Sequence, residues 1–107
     1  MQIDELNSFV SLFDIYGRLL SKKQFEIMYE FLNFNISETE IAEMFGASRQ
    51  SVHDAISKAK KQLVEFEKNC GILKTKRANI QSLYALKKHL TYDKKAQSLI
   101  DDIIDNL

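Results

Sequence analysis

Hydrophobic residues recur along this chain at intervals of three and four positions, the spacing that places them on one face of an α-helix. A first apolar stripe predicts a helix over residues 9–20, and a second stripe predicts another helix that starts after Ser21. Gln24 follows Ser21 by three positions, which is the pattern of a capping box at a helix start. Residues 33–35, Asn-Phe-Asn, then indicate a loop.

Two further helices follow in close succession. Ser37 and Glu40 form a second capping-box pattern, and Gly46 ends that helix after about two turns. Ser48 is the expected N-cap of a long amphipathic helix that extends to Gly71. Glycine is typical at such helix ends because it adopts the left-handed backbone conformation at little cost.

The last third of the chain also has helical periodicity. Residues 72–76 indicate a connector, and residues 77–90 predict the next helix. Asp93 is the expected cap of a final helix that runs to the end of the chain. The sequence contains no proline and only three glycines, which favours helices over sheets.

Residues 37–63 have the layout of a helix-turn-helix unit. The unit consists of a short capped helix, a tight turn at Gly46 and a second capped helix, which follow one another at the spacing of a helix-turn-helix. The small Ala42 leaves room where the two helices cross. We therefore expect an all-α fold with a helix-turn-helix domain over residues 1–71. Two C-terminal helices over residues 72–107 would form an extension for packing or dimerisation.

The first turns of the long helix carry side chains suited to reading DNA, because this part of a helix-turn-helix enters the major groove. Arginine pairs with guanine and glutamine with adenine, while lysines further along reach phosphates. The candidate nucleic-acid-binding residues are Ser48, Arg49, Gln50, Ser51, His53, Lys58, Lys60 and Lys61. Asp54 and the acidic residues of the preceding helix would repel DNA phosphates. The alternative interpretation is therefore that these polar residues form an ordinary solvent-exposed helix face that binds no nucleic acid.

Charge and composition set the broad class of protein. The formal net charge is zero, so the whole chain exerts no overall attraction on nucleic acid, although residues 48–77 hold eight basic residues against three acidic ones. The single cysteine, Cys70, forms no internal disulfide, which fits a reducing compartment. With neither a signal-peptide pattern nor an apolar run long enough for a membrane span, we expect a cytoplasmic protein.

The sequence does not predict an enzyme. Two histidines and one cysteine are too few for a four-ligand zinc site, and the three glycines lie too far apart for a phosphate-binding loop. The adjacent Asp101 and Asp102 point to different sides of a helix, so they do not form an acid–base pair. We expect no catalytic residue, no cofactor and no bound metal.

The final helix has a narrow apolar seam and an acidic opposite side. This seam either folds back on the helix-turn-helix unit or pairs with a second copy of the chain, which would make a homodimer. The candidate dimer-interface residues are Leu99, Ile100, Ile103, Ile104 and Leu107.

Two resemblances bear on function. The long helix resembles the second helix of region four of bacterial sigma factors at Ser48, Arg49, Val52, Ala59 and Leu63. Sigma factors typically have further arginines where this chain has Ser51 and His53. They have a base-reading glutamine where Asp54 stands.

The second resemblance covers residues 9–66. Residues 12–24, LFDIYGRLLSKKQ, resemble the opening of the YlxM family, and residues 40–54 are similar to its helix-turn-helix. This resemblance implies a small, often dimeric bacterial protein, encoded beside genes of the signal recognition particle and without enzymatic activity. Two functions stay open: a DNA-binding regulatory or accessory factor of that pathway, and an adaptor that binds the particle's protein or RNA without binding DNA.

Overall fold

The computed structural model describes residues 3–107, and within that range it contains helices and no strand. The helices are α1 (Ile3–Tyr16), α2 (Lys22–Asn33), α3 (Glu38–Phe45), α4 (Arg49–Cys70), α5 (Ile72–His89) and α6 (Lys94–Asp105). A single 3₁₀ turn, Gly17–Leu19, follows α1. The predicted all-α fold is therefore confirmed. Among these helices, none combines the length and apolar content that crossing a bilayer requires.

The chain divides into two compact units, one extending to Gly71 and the other comprising Ile72–Leu107. In the first unit, α4 packs against α1, α2 and α3. The inward stripe of α4 is at most 3% exposed to solvent and consists of Val52, Ile56, Ala59 and Leu63. Full burial of an aliphatic side chain of this size contributes roughly 1.5–3 kcal/mol to stability, so this stripe anchors the unit.

A buried tyrosine links the end of α1 to the second half of α4. Tyr16 is 2% exposed, and its hydroxyl donates a 2.7 Å hydrogen bond to Oε1 of Glu67. The Tyr16 ring also lies 6.0 Å from the ring of Phe66. The hydroxyl group of Tyr16 thus has a hydrogen-bond partner while the ring packs in the apolar core. Buried tyrosines usually meet both conditions.

Several predicted boundaries are wrong. The first helix, predicted to reach residue 20, ends at Tyr16, where the 3₁₀ turn Gly17–Leu19 begins, and the last helix ends at Asp105. Helix α1 begins at Ile3 rather than at residue 9, because residues 3–8 contain no proline or glycine to stop it. Residues 72–76 are the first turns of α5 and not a connector. Gly71 has a φ of 65°, so this one left-handed residue ends α4 and the chain re-enters a helix at once.

The second unit consists of α5 and α6, which pack against each other. Asp93 caps α6 as predicted, since its Oδ1 accepts a 3.0 Å hydrogen bond from the backbone N–H of Ala96. Lys87 of α5 pairs with Asp101 of α6 at 2.7 Å. These contacts fix the two helices of the unit side by side.

Candidate nucleic-acid interface

Helix α3 and the turn after it hold the start of α4 in place. Ser37 caps α3 by accepting a 3.2 Å hydrogen bond from the N–H of Glu40, and Ile41 and Ala42 are buried against the core. Gly46 has a φ of 63°, the left-handed conformation that the turn was predicted to need. The backbone N–H of Ala47 then bonds to the carbonyl of Ala42 at 2.9 Å and closes the turn. The predicted helix-turn-helix layout is present.

The two serines among the candidate residues serve the helix start. Ser48 is the N-cap of α4, and its Oγ accepts a 3.0 Å hydrogen bond from the N–H of Ser51. The hydroxyl of Ser51 donates back to the carbonyl of Ser48 at 2.9 Å. Both residues are exposed, but their hydroxyl groups already make hydrogen bonds that stabilise the first turn.

Three of the predicted base-reading residues meet on one concave surface. Arg49, Gln50 and His53 line a depression of about 520 Å³ together with Glu38 of α3. All three are exposed, and they occupy the first two turns of α4, where major-groove contacts are made in a helix-turn-helix.

Two of these side chains are hydrogen-bonded within the chain. Nδ1 of His53 lies 3.0 Å and 3.2 Å from the two carboxylate oxygens of Glu38. Nε2 of Gln50 donates a 3.0 Å hydrogen bond to Oδ1 of Asp54. A bidentate contact with adenine uses the amide oxygen and one N–H of glutamine. The amide nitrogen of Gln50 carries two N–H groups, so the bond to Asp54 leaves one donor and the oxygen for a base and fixes the direction in which they point.

The three predicted phosphate-binding lysines do not lie together. Lys58 and Lys61 are exposed on the outer side of α4. The Nζ of Lys60 instead lies 5.2 Å from the ring centre of Phe9 and 5.3 Å from that of Phe31, the geometry of cation–π contacts. Lys60 therefore faces aromatic rings of α1 and α2 instead of the surface that Lys58 and Lys61 share.

The structure adds a cation that sequence analysis did not select. Lys23, in the first turn of α2, lines a groove of about 490 Å³ with Lys58, Asp54 and Ser51 of α4. The groove brings a second lysine beside the outer face of α4. No short-range pattern reveals this pairing, because it depends on how α2 packs against α4.

The predicted dimer-interface residues separate into two groups. Ile100 is buried and Ile104 is half-buried, which places them on the inner side of α6. Leu99 and Ile103 are 54% and 49% exposed and lie one turn apart on the outer side, and Leu107, which is 38% exposed, follows the end of the helix. The seam thus contributes both an internal contact and an outward apolar stripe.

Comparison with known proteins identifies similar chains. Residues 3–103 match the model of a family described as "Putative helix-turn-helix protein, YlxM / p13 like". A UPF0122 protein of Clostridium perfringens strain 13 is 33% identical over 93 residues, covering 87% of this chain and 80% of the relative. Another, from Acetivibrio thermocellus, is 39% identical over 71 residues, covering 66% of this chain and 61% of the relative.

Proposed function

Because the chain belongs to the YlxM / p13-like helix-turn-helix family, as its sequence resemblance predicted, we propose that it is a non-enzymatic regulatory or accessory factor that binds duplex DNA. It acts in the cytoplasm and reads base edges with the start of α4. The observation that carries this proposal is the shared concave surface of Arg49, Gln50 and His53 on a helix whose first turn is rigidly capped.

Charge around this surface limits the number of phosphate contacts. Helix α3 carries Glu38, Glu40 and Glu43, and Asp54 lies on the outer side of α4. The cations that face outward near them are Lys23, Lys58 and Lys61. With about three phosphate contacts, the logarithm of the binding constant should fall with the logarithm of salt concentration at a slope near −3, shallow for a DNA-binding protein.

The decisive experiment selects duplexes from a random library and then titrates the preferred site by fluorescence anisotropy. Arg49→Ala should weaken binding by about 1–3 kcal/mol and relax selectivity at one base pair, since a bidentate arginine–guanine contact is lost. Lys68→Ala, which removes an exposed positive charge from the last turn of α4, is the matched control and should change affinity far less. An equal loss of DNA affinity in both variants would contradict the recognition of bases by the start of α4.

A second candidate function is an adaptor of the signal recognition particle, the pathway implied by the family resemblance. The acidic α3 and the engagement of His53 by Glu38 favour it, because both make the face less attractive to a phosphate backbone and so favour contact with the particle's protein. In this case the purified protein binds the particle's protein or RNA, and Arg49→Ala leaves that binding unchanged. Titration of the particle's protein, its RNA and a DNA duplex side by side, at about 50 and 200 mM salt, separates the two functions.

A further inference from the structure

Helix α5 concentrates positive charge outside the helix-turn-helix unit. Its 18 residues contain five lysines and arginines and no aspartate or glutamate. One of the five, Lys87, lies on the inner side of the helix and pairs with Asp101 of α6. The other four are distributed over the rest of the helix and give it a strong local charge, although the chain as a whole is neutral.

Three of these cations lie in one line along the exposed surface of α5. Residues at intervals of three and four positions share a helix face, and five exposed positions follow that rule. These residues, which we call the cationic stripe, are Lys74, Arg77, Gln81, Tyr84 and Lys88. At 1.5 Å per residue the stripe is about 21 Å long, enough to span several phosphates of an extended strand.

An aromatic ring interrupts the charges of the stripe. Tyr84 is 51% exposed and lies between Arg77 and Lys88 along the helix. Alternation of cations with an exposed aromatic ring is the arrangement by which proteins hold single-stranded nucleic acid, with phosphates on the cations and an unstacked base on the ring. Duplexes offer no such base, because theirs are stacked inside the helix.

The apolar residues of α5 do not support a membrane surface instead. Ile72 and Leu86 are 50% and 48% exposed. Two positions separate Leu86 from Tyr84, so the two side chains point to opposite sides of the helix. A helix that lies in a lipid interface needs its cations to flank one apolar face, and here the exposed aliphatic residues and the cations lie on different sides.

From this arrangement we propose that the cationic stripe of α5 binds single-stranded nucleic acid without sequence selectivity. Arg77 and Lys88 contact phosphates on either side of Tyr84, and Tyr84 stacks on one base. This surface belongs to the second unit and goes beyond the proposed reading of duplex DNA by α4. Its ligand chemistry is a phosphodiester backbone with unpaired bases, which single-stranded RNA and DNA share.

The test is an anisotropy titration of the full-length protein with labelled U12 RNA and dU12 DNA at several salt concentrations. With two phosphate contacts the salt slope for single strands should be about −1.4, and the double variant Arg77→Gln/Lys88→Gln should bring it close to zero. Tyr84→Leu should weaken binding roughly fivefold to tenfold, while Tyr84→Phe keeps the ring and the affinity. Circular dichroism of each variant verifies that its helices are intact.

The matched control is Lys94→Gln/Lys95→Gln, which removes two exposed charges from the start of α6 and should leave both slope and affinity close to those of the parent protein. Arg49→Ala should also have no effect, so failure of the duplex-reading proposal is distinguishable from failure of this one. The proposal is overturned if the two double variants lose oligonucleotide binding equally, or if Tyr84→Leu binds as tightly as the parent protein. It is also overturned if Arg77→Gln/Lys88→Gln weakens binding to phosphatidylserine vesicles, measured by co-sedimentation, but leaves binding to the oligonucleotides unchanged. A preference for either U12 or dU12 supports the proposal and shows whether the stripe binds single-stranded RNA or single-stranded DNA.

Discussion

Nδ1 of His53 lies 3.0 Å from Oε1 of Glu38, so a side chain of α4 is bonded to the helix that precedes it in the helix-turn-helix. The carboxylate of Glu38 is 24% exposed and the imidazole of His53 is 55% exposed. This contact places a negative charge beside the residues that we expect to read bases.

Glu38→Gln should therefore strengthen duplex binding. It removes one negative charge from the concave surface, an effect of about 1 kcal/mol or about fivefold at low salt that fades as salt screens it. Folding stability should fall by less than about 1 kcal/mol, because a single contact between exposed side chains contributes little. Glu40→Gln is the control, since it removes the same charge from α3 without touching His53. Tighter binding by Glu40→Gln alone would contradict the role assigned to Glu38.

Tyr16→Phe should destabilise the first unit by about 1–2 kcal/mol. The variant keeps the ring but loses the hydrogen bond to the carboxylate of Glu67, and bonds to charged groups are among the stronger ones. Urea unfolding should show a lower midpoint with an unchanged m-value. Tyr29→Phe, in which the hydroxyl is lost from a 42% exposed tyrosine, should leave the midpoint within experimental error. A similar shift in both variants would show that the Tyr16–Glu67 bond is not the cause.

Gly46→Ala should cost about 1–2 kcal/mol, because a side chain raises the energy of the left-handed conformation that the turn requires. A Cβ at this position meets no atom of the surrounding structure within 4 Å, so the cost comes from the local backbone conformation and not from a clash with other parts of the fold. Gly46→Asn should recover part of the loss, since asparagine tolerates this conformation better than alanine. Thermal melts should rank the parent protein as most stable, Gly46→Asn as intermediate and Gly46→Ala as least stable. An alanine variant as stable as the parent would rule out this explanation.

The homodimer predicted from the sequence is expected to use the outward stripe of α6. Leu99→Ser/Ile103→Ser should convert the dimer to a monomer in light scattering, with little loss of helix content, because both side chains are about half exposed. Ile100→Ala should act differently and destabilise the fold by about 2–5 kcal/mol, because its side chain is buried. A parent protein that is monomeric at high micromolar concentration would end the dimer prediction.

Local signals predicted the helix-turn-helix well. Ser37, Ser48 and Gly46 act on their immediate neighbours, so their capping and turn roles follow from spacing alone. The direction of Lys60 did not follow from spacing, because it depends on aromatic rings of two other helices. The groove containing Lys23 was missed for the same reason. Contacts between distant segments decide which cations of a helix face a ligand.

The hydrogen bonds that engage Gln50 and His53 have a consequence for discrimination between DNA sites. A duplex that offers no matching base leaves the bonds to Asp54 and Glu38 intact and gains only a few lysine contacts. A matching duplex gains base contacts as well, and any internal bond that it displaces subtracts from that gain. That cost falls on the matching duplex and not on the others, so it narrows the difference between the two binding free energies on which selectivity depends. Wherever a base does not replace the bond that it displaces, the protein loses affinity for its site and selectivity together.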